Sequence, residues 1–409
     1  MHMRPAIVAA PPDRQGSSYE VLLAFLRLGL TCFGGPIAHI GYFRAEFVER
    51  RKWLGEAAFG DIVALCQFLP GPASSQVGFI LGLSRAGLLG GLAAWVGFTL
   101  PSAVALVAFA YGVAQLGDVT HLAWLHGLRI VAVAVVAQAV WGMAQSLCPD
   151  RERATIALAA TIVALAFPSA AGQIGAIAAG GLVGRLLLPQ RAPPAAAPIA
   201  PGSVGPRSGL ASLIAFFVLL IGAPLLASTT GAHWLALAAA FFRSGALVFG
   251  GGHVVLPLLQ QAVTPQGWIG SDVFLAGYAA AQAVPGPLFT FAAYLGAAMR
   301  EPPNGWLGAL LCLVSIYLPS LLLLLGVLPF WDALRARSGM RSALAGINAS
   351  VVGILFGALY TPVWTSAIFS AADFSLAAAA FLLLVFWRAP PWLVVVFGAL
   401  GAVAIASVG

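Results

Sequence analysis

Long apolar runs recur over the whole chain: Leu88 to Val113, Ile130 to Met143, Leu307 to Phe330 and Trp392 to Val408. They approach or exceed the roughly 20 residues that an α-helix needs to cross a hydrocarbon core, so each predicts a membrane-spanning helix. Other apolar stretches are cut short. The arms on either side of Pro70-Gly71-Pro72 are each only about ten residues, and the first apolar segment is broken at Gly34-Gly35-Pro36, which predicts helices that stop or turn back within the membrane. Such non-helical backbone is tolerated at that depth only where protein or a water-filled cavity surrounds it.

Composition turns the pattern into a class. Hydrophobic residues make up 61% of the chain and charged residues 8%, against roughly 25% charged in soluble domains, so a water-facing surface cannot be built. The net charge of +7 does not indicate nucleic acid, because the basic residues are nearly all arginines scattered between apolar segments, with no basic stripe. They read as orientation signals in a lipid bilayer. Cys32, Cys66, Cys148 and Cys312 stand far apart without a C-x-x-C pair, which predicts neither a zinc site nor a disulfide framework, and no cofactor is expected. The stretch up to Ser18 is Pro-rich, lacks the pattern of a cleaved signal and is expected to be a short cytoplasmic tail.

Leu188 to Ser208 holds Pro189, Pro193, Pro194, Pro198, Pro201 and Pro206, a composition suited to an extended linker. It divides the chain into an N-terminal unit (1–188), a cytoplasmic linker (189–208) and a C-terminal unit (209–409). Motifs recur in order across it. Phe25-Leu-Arg-Leu-Gly29 leading to Phe33-Gly34-Gly35-Pro36 matches Phe241-Phe-Arg-Ser-Gly245 leading to Phe249-Gly250-Gly251-Gly252, so that Arg27 pairs with Arg243. Trp53-Leu-Gly55 matches Trp268-Ile-Gly270, Gln67-Phe-Leu-Pro70-Gly71-Pro72 matches Gln282-Ala-Val-Pro285-Gly286-Pro287, and Leu100-Pro101-Ser102 matches Leu318-Pro319-Ser320. Each string alone is a weak signal in a membrane protein, but their ordered recurrence marks an internal repeat.

These residues resemble the chromate ion transporter family in its long, two-domain form. The resemblance covers nearly the whole chain. It is most specific in Phe33-Gly-Gly-Pro-Ile-Ala-His39-Ile-Gly-Tyr-Phe-Arg44, Cys66-Gln-Phe-Leu-Pro-Gly-Pro-Ala-Ser-Ser-Gln76, Phe249-Gly-Gly-Gly-His253 and Gln282-Ala-Val-Pro-Gly-Pro-Leu-Phe-Thr290. It implies export of chromate across the inner (plasma) membrane by a secondary carrier without ATP, and hence chromate resistance.

The arginines test the topology. If both motif pairs are re-entrant, Arg85, Arg151, Arg153, Arg185, Arg191 and Arg207 all face the cytoplasm and Asp118 lies outside. One span, about Leu210 to Ala227, then carries the chain outward, so the second repeat starts from the opposite face. Arg335, Arg337, Arg341 and Arg388 return inside, Asp373 lies outside, and Arg300 alone is misplaced. The expected fold is therefore all-α and polytopic, with two inverted-topology repeats, about nine full spans and four re-entrant elements. A conventional reading with about thirteen spans fits the charges less well.

Inverted, interrupted helices answer the problem of carrying a dianion through a medium where an isolated charge costs tens of kcal/mol. Half-helices starting just after Gly35-Pro36, Gly71-Pro72, Gly251-Gly252 and Gly286-Pro287 would offer free backbone N–H groups and positive dipole ends, which puts Gly34, Gly35, Pro70, Gly71, Gly250, Gly251, Pro285 and Gly286 among the candidate substrate-binding residues. Arg27 and Arg243 add forked guanidinium groups suited to a tetrahedral oxyanion, their alternative being to snorkel or to bind carbonyls at the helix break. Arg129, matched by Asn348, is an interfacial anchor or a ligand. Gln67, Gln282, Ser74, Ser75, Gln76 and Thr290 either complete the anion shell or cap the half-helices. His39, His253 and Asp61 are candidate proton or anion contacts, with a structural role as the alternative for each histidine.

No paired buried carboxylates, His-Glu-x-x-His or nucleophile beside a base appears in the sequence, so no enzyme is expected. Export driven by the inside-negative potential needs no protonatable group, and the coupling ion stays open. Sulfate, also a tetrahedral dianion, is the rival substrate, and an anion channel is the rival mechanism. Oligomeric state is not legible.

Overall fold

A computed structural model describes residues 16–33, 35–115, 123–188, 204–249, 252–335 and 338–408. The expectations placed on Gly34, Gly250, Gly251, Asp118, Arg191 and Arg337 fall outside these residues, as does most of the linker. Among the described residues every regular element is helical.

The first half comprises α1 (Ser18–Thr31), α2 (Gly35–Phe43), α3 (Glu56–Phe68), α4 (Ala73–Gln115), α5 (Ala123–Leu147), α6 (Arg151–Ala166) and α7 (Ala170–Leu187). A single helix, α8 (Pro206–Thr230), follows the linker. The second half comprises α9 (His233–Ala246), α10 (Val255–Val263), α11 (Ser271–Ala283), α12 (Phe291–Ala297), α13 (Gly305–Val327), α14 (Trp331–Arg335), α15 (Ser338–Ala358), α16 (Ala371–Val385) and α17 (Pro391–Val408). α4 is broken at Ala86 and Gly87, where φ reaches +66° at the glycine, so it is a hairpin of two helices.

Local chemistry fixes several starts. The side chains of Ser17, Asp150 and Ser169 accept from the backbone N–H of the third residue on, and Ser370 forms a reciprocal capping box with Asp373. Pro206 opens α8, and Gly231 in the left-handed region closes it.

Five helical segments are long and apolar enough to cross a bilayer: Ala73–Gln115, Ala123–Leu147, Pro206–Thr230, Gly305–Phe330 and Gly339–Trp364. Shorter apolar helices accompany them, among them Ala371–Val385 and Pro391–Ser407. Their exposed surfaces are apolar. On α8 the side chains of Leu210, Ile214, Phe217, Val218, Ile221 and Leu225 are all more than half exposed, a helix face that water would not tolerate. This is a multi-pass membrane protein.

Each half repeats one internal contact, and other helices join the halves. α1 lies along α4 as α9 lies along α13, while α5 packs on α16 and α17 of the other half and α15 packs on α6 and α7. Small residues allow the backbones to approach: Gly127 meets Gly398, and Gly184 meets Gly346. The principal core runs through α4, α5, α9–α13 and α15, and a second gathers Phe25, Phe43, Phe47, Leu65 and Phe98 with Leu324 and Trp331.

Charge is concentrated at the ends. In the π-helical segment Arg44–Arg50, Glu46 accepts from Arg50 and Arg51, and these guanidinium groups, Arg50 foremost, hold its carboxyl below the usual range. Glu20 joins Arg51 and Arg85, both stacked on Trp53.

Candidate functional site

Two extended breaks organise the centre of the molecule. α3 ends at Phe68 and α11 at Ala283, the next residues Leu69 and Val284 are extended, and the chain resumes as helix at Ala73 and as a 3-10 turn at Leu288. Between them Gly71 and Gly286 hold φ of +125° and +101°, which only glycine adopts without strain. The freed backbone donors are satisfied by the opposite half. The Gly71 N–H donates to the Val248 carbonyl at 2.6 Å, and the Gly286 N–H donates to the Cys32 carbonyl at 2.8 Å. Cys32 and Val248 occupy matching positions, each just before a glycine-rich break.

The glycines are also tightly enclosed. A methyl group at Gly71 would collide with Cβ of Ser320, and one at Gly286 would lie 2.9 Å from the Ser102 hydroxyl. Each Pro-Gly-Pro turn thus rests on the Leu-Pro-Ser segment of the other half. Ser102 and Ser320 donate to the carbonyls of Thr99 and Tyr317, at 3.1 and 2.9 Å, so their hydroxyls are spent locally.

Four helix starts converge here. A Cβ at Gly252, which opens the 3-10 turn before α10, would lie 3.6 Å from Leu288 and 3.7 Å from Pro36 at the start of α2. His39 of α2 bonds Ser74 in the first turn of α4 at 3.3 Å between Nδ1 and Oγ. The N-termini of α2, α4 and the turns at 252 and 288 therefore lie near one another, and helix N-termini are where backbone N–H groups lack intrahelical partners and dipole ends are positive. That arrangement suits an anion.

The candidate side chains divide. His39 is 1% exposed, packs its edge on Phe98 at 5.2 Å and leaves Nε2 without a partner among the described residues. Ser74 is buried beside it. Gln76 donates to the Pro70 carbonyl at 2.9 Å and Thr290 to the Pro287 carbonyl at 2.8 Å, so both cap the breaks. His253 is partly buried and bonds the Tyr278 hydroxyl at 2.8 Å. Gln282 keeps a buried Nε2 without a partner among the described residues, whereas its counterpart Gln67 is exposed. Asp61 is buried within α3.

The two arginines are not equivalent. Arg243 is partly buried and lines a small cavity with Gln173, Ser244, Leu247, Leu258 and Ala262, whereas Arg27 is exposed. Neither guanidinium joins an ion pair among the described residues.

Two cross-half polar contacts lie outside the sequence expectation. Arg129, buried in α5, pairs with Asp272 in the first turn of α11, and His126 one turn earlier meets Asp373 of α16 at 2.9 Å. Arg129 is thus an anchor between halves. The available signal was a lone span arginine together with an acidic residue opening an apolar arm in the other half.

The chromate transporter family matches residues 19–185 and again 235–403. The chain is 30% identical to the chromate transport protein of Pseudomonas aeruginosa over 359 residues, covering 85% of this chain and 81% of that one. It is 26% identical over 346 residues to the probable chromate transport protein of Synechococcus elongatus, covering 82% of each. The chromate transport protein of Cupriavidus metallidurans is 25% identical over 343 residues, covering 83% of this chain and 81% of that one. No solved structure matches. With broken helices meeting at its centre and the family's pattern present in both halves, this chain belongs to the chromate transporter family.

Proposed function

We propose that the protein is a secondary active transporter that exports chromate across the inner membrane and so confers chromate resistance. The observation that carries this reading is the convergence of four helix starts on one region, in a chain whose two halves both match the chromate transporter family and whose relatives include proteins named as chromate transport proteins. The first-turn amides that follow Gly35, Pro70-Gly71-Pro72 and Pro285-Gly286-Pro287 replace part of the hydration shell, with Gln282, Ser74 and Thr290 beside them, while the Gly71 and Gly286 N–H groups stay bonded across the halves. Arg243 and Arg27 raise the local anion concentration on its approaches.

In this reading residues 1–188 and 209–409 form inverted repeats joined by the 189–208 linker, with about nine full spans and four re-entrant elements. Inversion places matching broken helices on either side of one site, so that rocking one repeat against the other exposes it alternately. An inside-negative potential favours departure of a dianion by about 4.6 kcal/mol per 100 mV, which drives export without a protonated carrier. Asp61, His39 and His253 are the groups available if protons are exchanged.

The test is chromate uptake into everted vesicles from cells expressing the chain, with excess sulfate or an uncoupler. Saturable, uncoupler-sensitive and sulfate-resistant uptake is expected. Competition by sulfate would make the protein a broader oxyanion carrier, non-saturating flux would make it a channel, and no uptake by correctly inserted protein would end the chromate reading.

A further inference from the structure

Arg243 and Gln173 line one small cavity from opposite halves of the molecule, Arg243 on α9 and Gln173 near the start of α7. Both are unsatisfied among the described residues. The partly buried guanidinium joins no ion pair or hydrogen bond there, and the side chain of Gln173, a residue only 3% exposed, makes no hydrogen bond either. Buried polar groups are nearly always bonded, so a charged fork and a carboxamide on the walls of the same space call for a ligand.

The other walls decide its chemistry. Ser244 spends its hydroxyl hydrogen on the Ala240 carbonyl at 2.9 Å, and the side chains of Leu247, Leu258 and Ala262 are apolar. The side-chain donors left are the guanidinium N–H groups and the Gln173 amide, and no carboxylate lines the cavity to claim them. Arg243 opposes a cation, and a neutral ligand would leave its charge unmet beside three apolar side chains, so the complement is an anion. A planar fork with an adjacent NH2 group matches the oxygens of a tetrahedral oxyanion.

Position along the helices places the cavity on the way out. In the topology proposed above, α7 and α9 begin at the outer face and α10 ends there. Gln173 stands in the first turns of α7 and Ala262 in the last turn of α10. Arg243 lies about 15 Å of helix beyond the start of α9, with a side-chain direction that leans back toward that start. Leu258 and Ala262 follow Gly252 along α10, so the cavity lies outward of the helix starts gathered around Gly252.

We infer that Arg243 and Gln173 form an exit-side subsite for the exported oxyanion, between the central helix starts and the outer face. This rests on the transport reading above and adds to it Gln173, a ligand supplied by the half opposite to Arg243. An anion leaving the centre is partly compensated there by the guanidinium, which lowers the barrier to crossing the apolar surroundings. Because the walls belong to both halves, movement of one half against the other changes the width of the cavity and its hold on the anion.

Gln173→Glu is the informative variant. It keeps the size and shape of the side chain but sets a carboxylate beside Arg243, which gives the guanidinium an internal partner and repels the passing anion. Initial chromate uptake into everted vesicles, which load from the cytoplasmic face, is measured over a range of concentrations at matched protein content, with the melting temperature of the purified protein in parallel. Turnover should fall roughly tenfold or more, KM should change little, and the melting temperature should hold or rise. Gln173→Met removes the amide without adding charge; it should lower turnover by less, and it carries the test if the glutamate variant does not insert. Unchanged turnover would overturn the subsite while leaving the transport reading intact. So would lost turnover with a lower melting temperature, or failure of both variants to insert, either of which would make Gln173 structural. A raised KM at unchanged turnover would put Gln173 on the loading side and overturn its exit role. Absence of uptake by correctly inserted wild type would overturn the transport reading itself.

Discussion

The N–H of Gly71 donates to the carbonyl of Val248 at 2.6 Å, tying the broken element of one half to the glycine-rich break of the other. The turn has no room for any other residue, since its φ is +125° and a methyl group would strike Ser320. Gly71→Ala therefore combines backbone strain with overpacking, about 3 kcal/mol or more together. Thermal melts of the purified protein should show a fall of several degrees or failure to fold. Gly286→Ala changes in the same direction but less, because the Ser102 hydroxyl 2.9 Å away can rotate aside.

The Arg129–Asp272 pair holds α5 of the first half to α11 of the second. Asp272 is 37% exposed and Arg129 only 9%, so removing the carboxylate leaves a poorly solvated guanidinium behind. Asp272→Ala should cost on the order of 2 kcal/mol, less than a fully buried pair would because Asp272 is partly hydrated. The double variant Arg129→Met/Asp272→Ala should be more stable than Asp272→Ala alone. Melting temperatures of the wild type, the two singles and the double decide this; additive losses would mean that the pair is not coupled.

Much of the architecture was legible because it is written in apolar length and in glycine and proline. The breaks at Pro70-Gly71-Pro72 and Pro285-Gly286-Pro287 stand where the motifs put them, and α8 covers the expected span at 210–227. The side-chain site was less legible. A sequence shows that Arg27 and Arg243 match, but not that one is exposed while the other lines a cavity with Gln173 of α7.

The unequal surroundings of the two arginines predict unequal phenotypes. Arg243 shares its cavity with the buried Gln173 side chain, while Arg27 is exposed on α1. Arg243→Ala should lower chromate uptake by roughly tenfold or more, the scale of one charge-assisted hydrogen bond. Arg27→Ala should lower it less, and mainly at low salt, where the attraction it exerts on the anion from a distance is unscreened. Initial rates in everted vesicles at matched membrane content, at low and high ionic strength, separate the two. Equal, complete loss would instead place both guanidinium groups on the anion.

Inversion of the repeats can be tested where they align. The loop before α3 carries Arg50, Arg51 and Lys52, whereas the matching stretch before α11, Thr264 to Gly270, carries no Lys or Arg. Because basic loops stay cytoplasmic, the two loops should lie on opposite faces although they occupy the same place in their repeats. Lys52 and Gln266 are both exposed, which makes them suitable reporters. Four native cysteines, three of them buried, would first be replaced. In that background Lys52→Cys should react with a membrane-impermeant maleimide only in everted vesicles, and Gln266→Cys only in intact cells or spheroplasts. Labelling of both from one side would make the repeats parallel. The helix starts gathered at Pro36, Ser74, Gly252 and Leu288 would then need another route of access than alternating exposure of one central site.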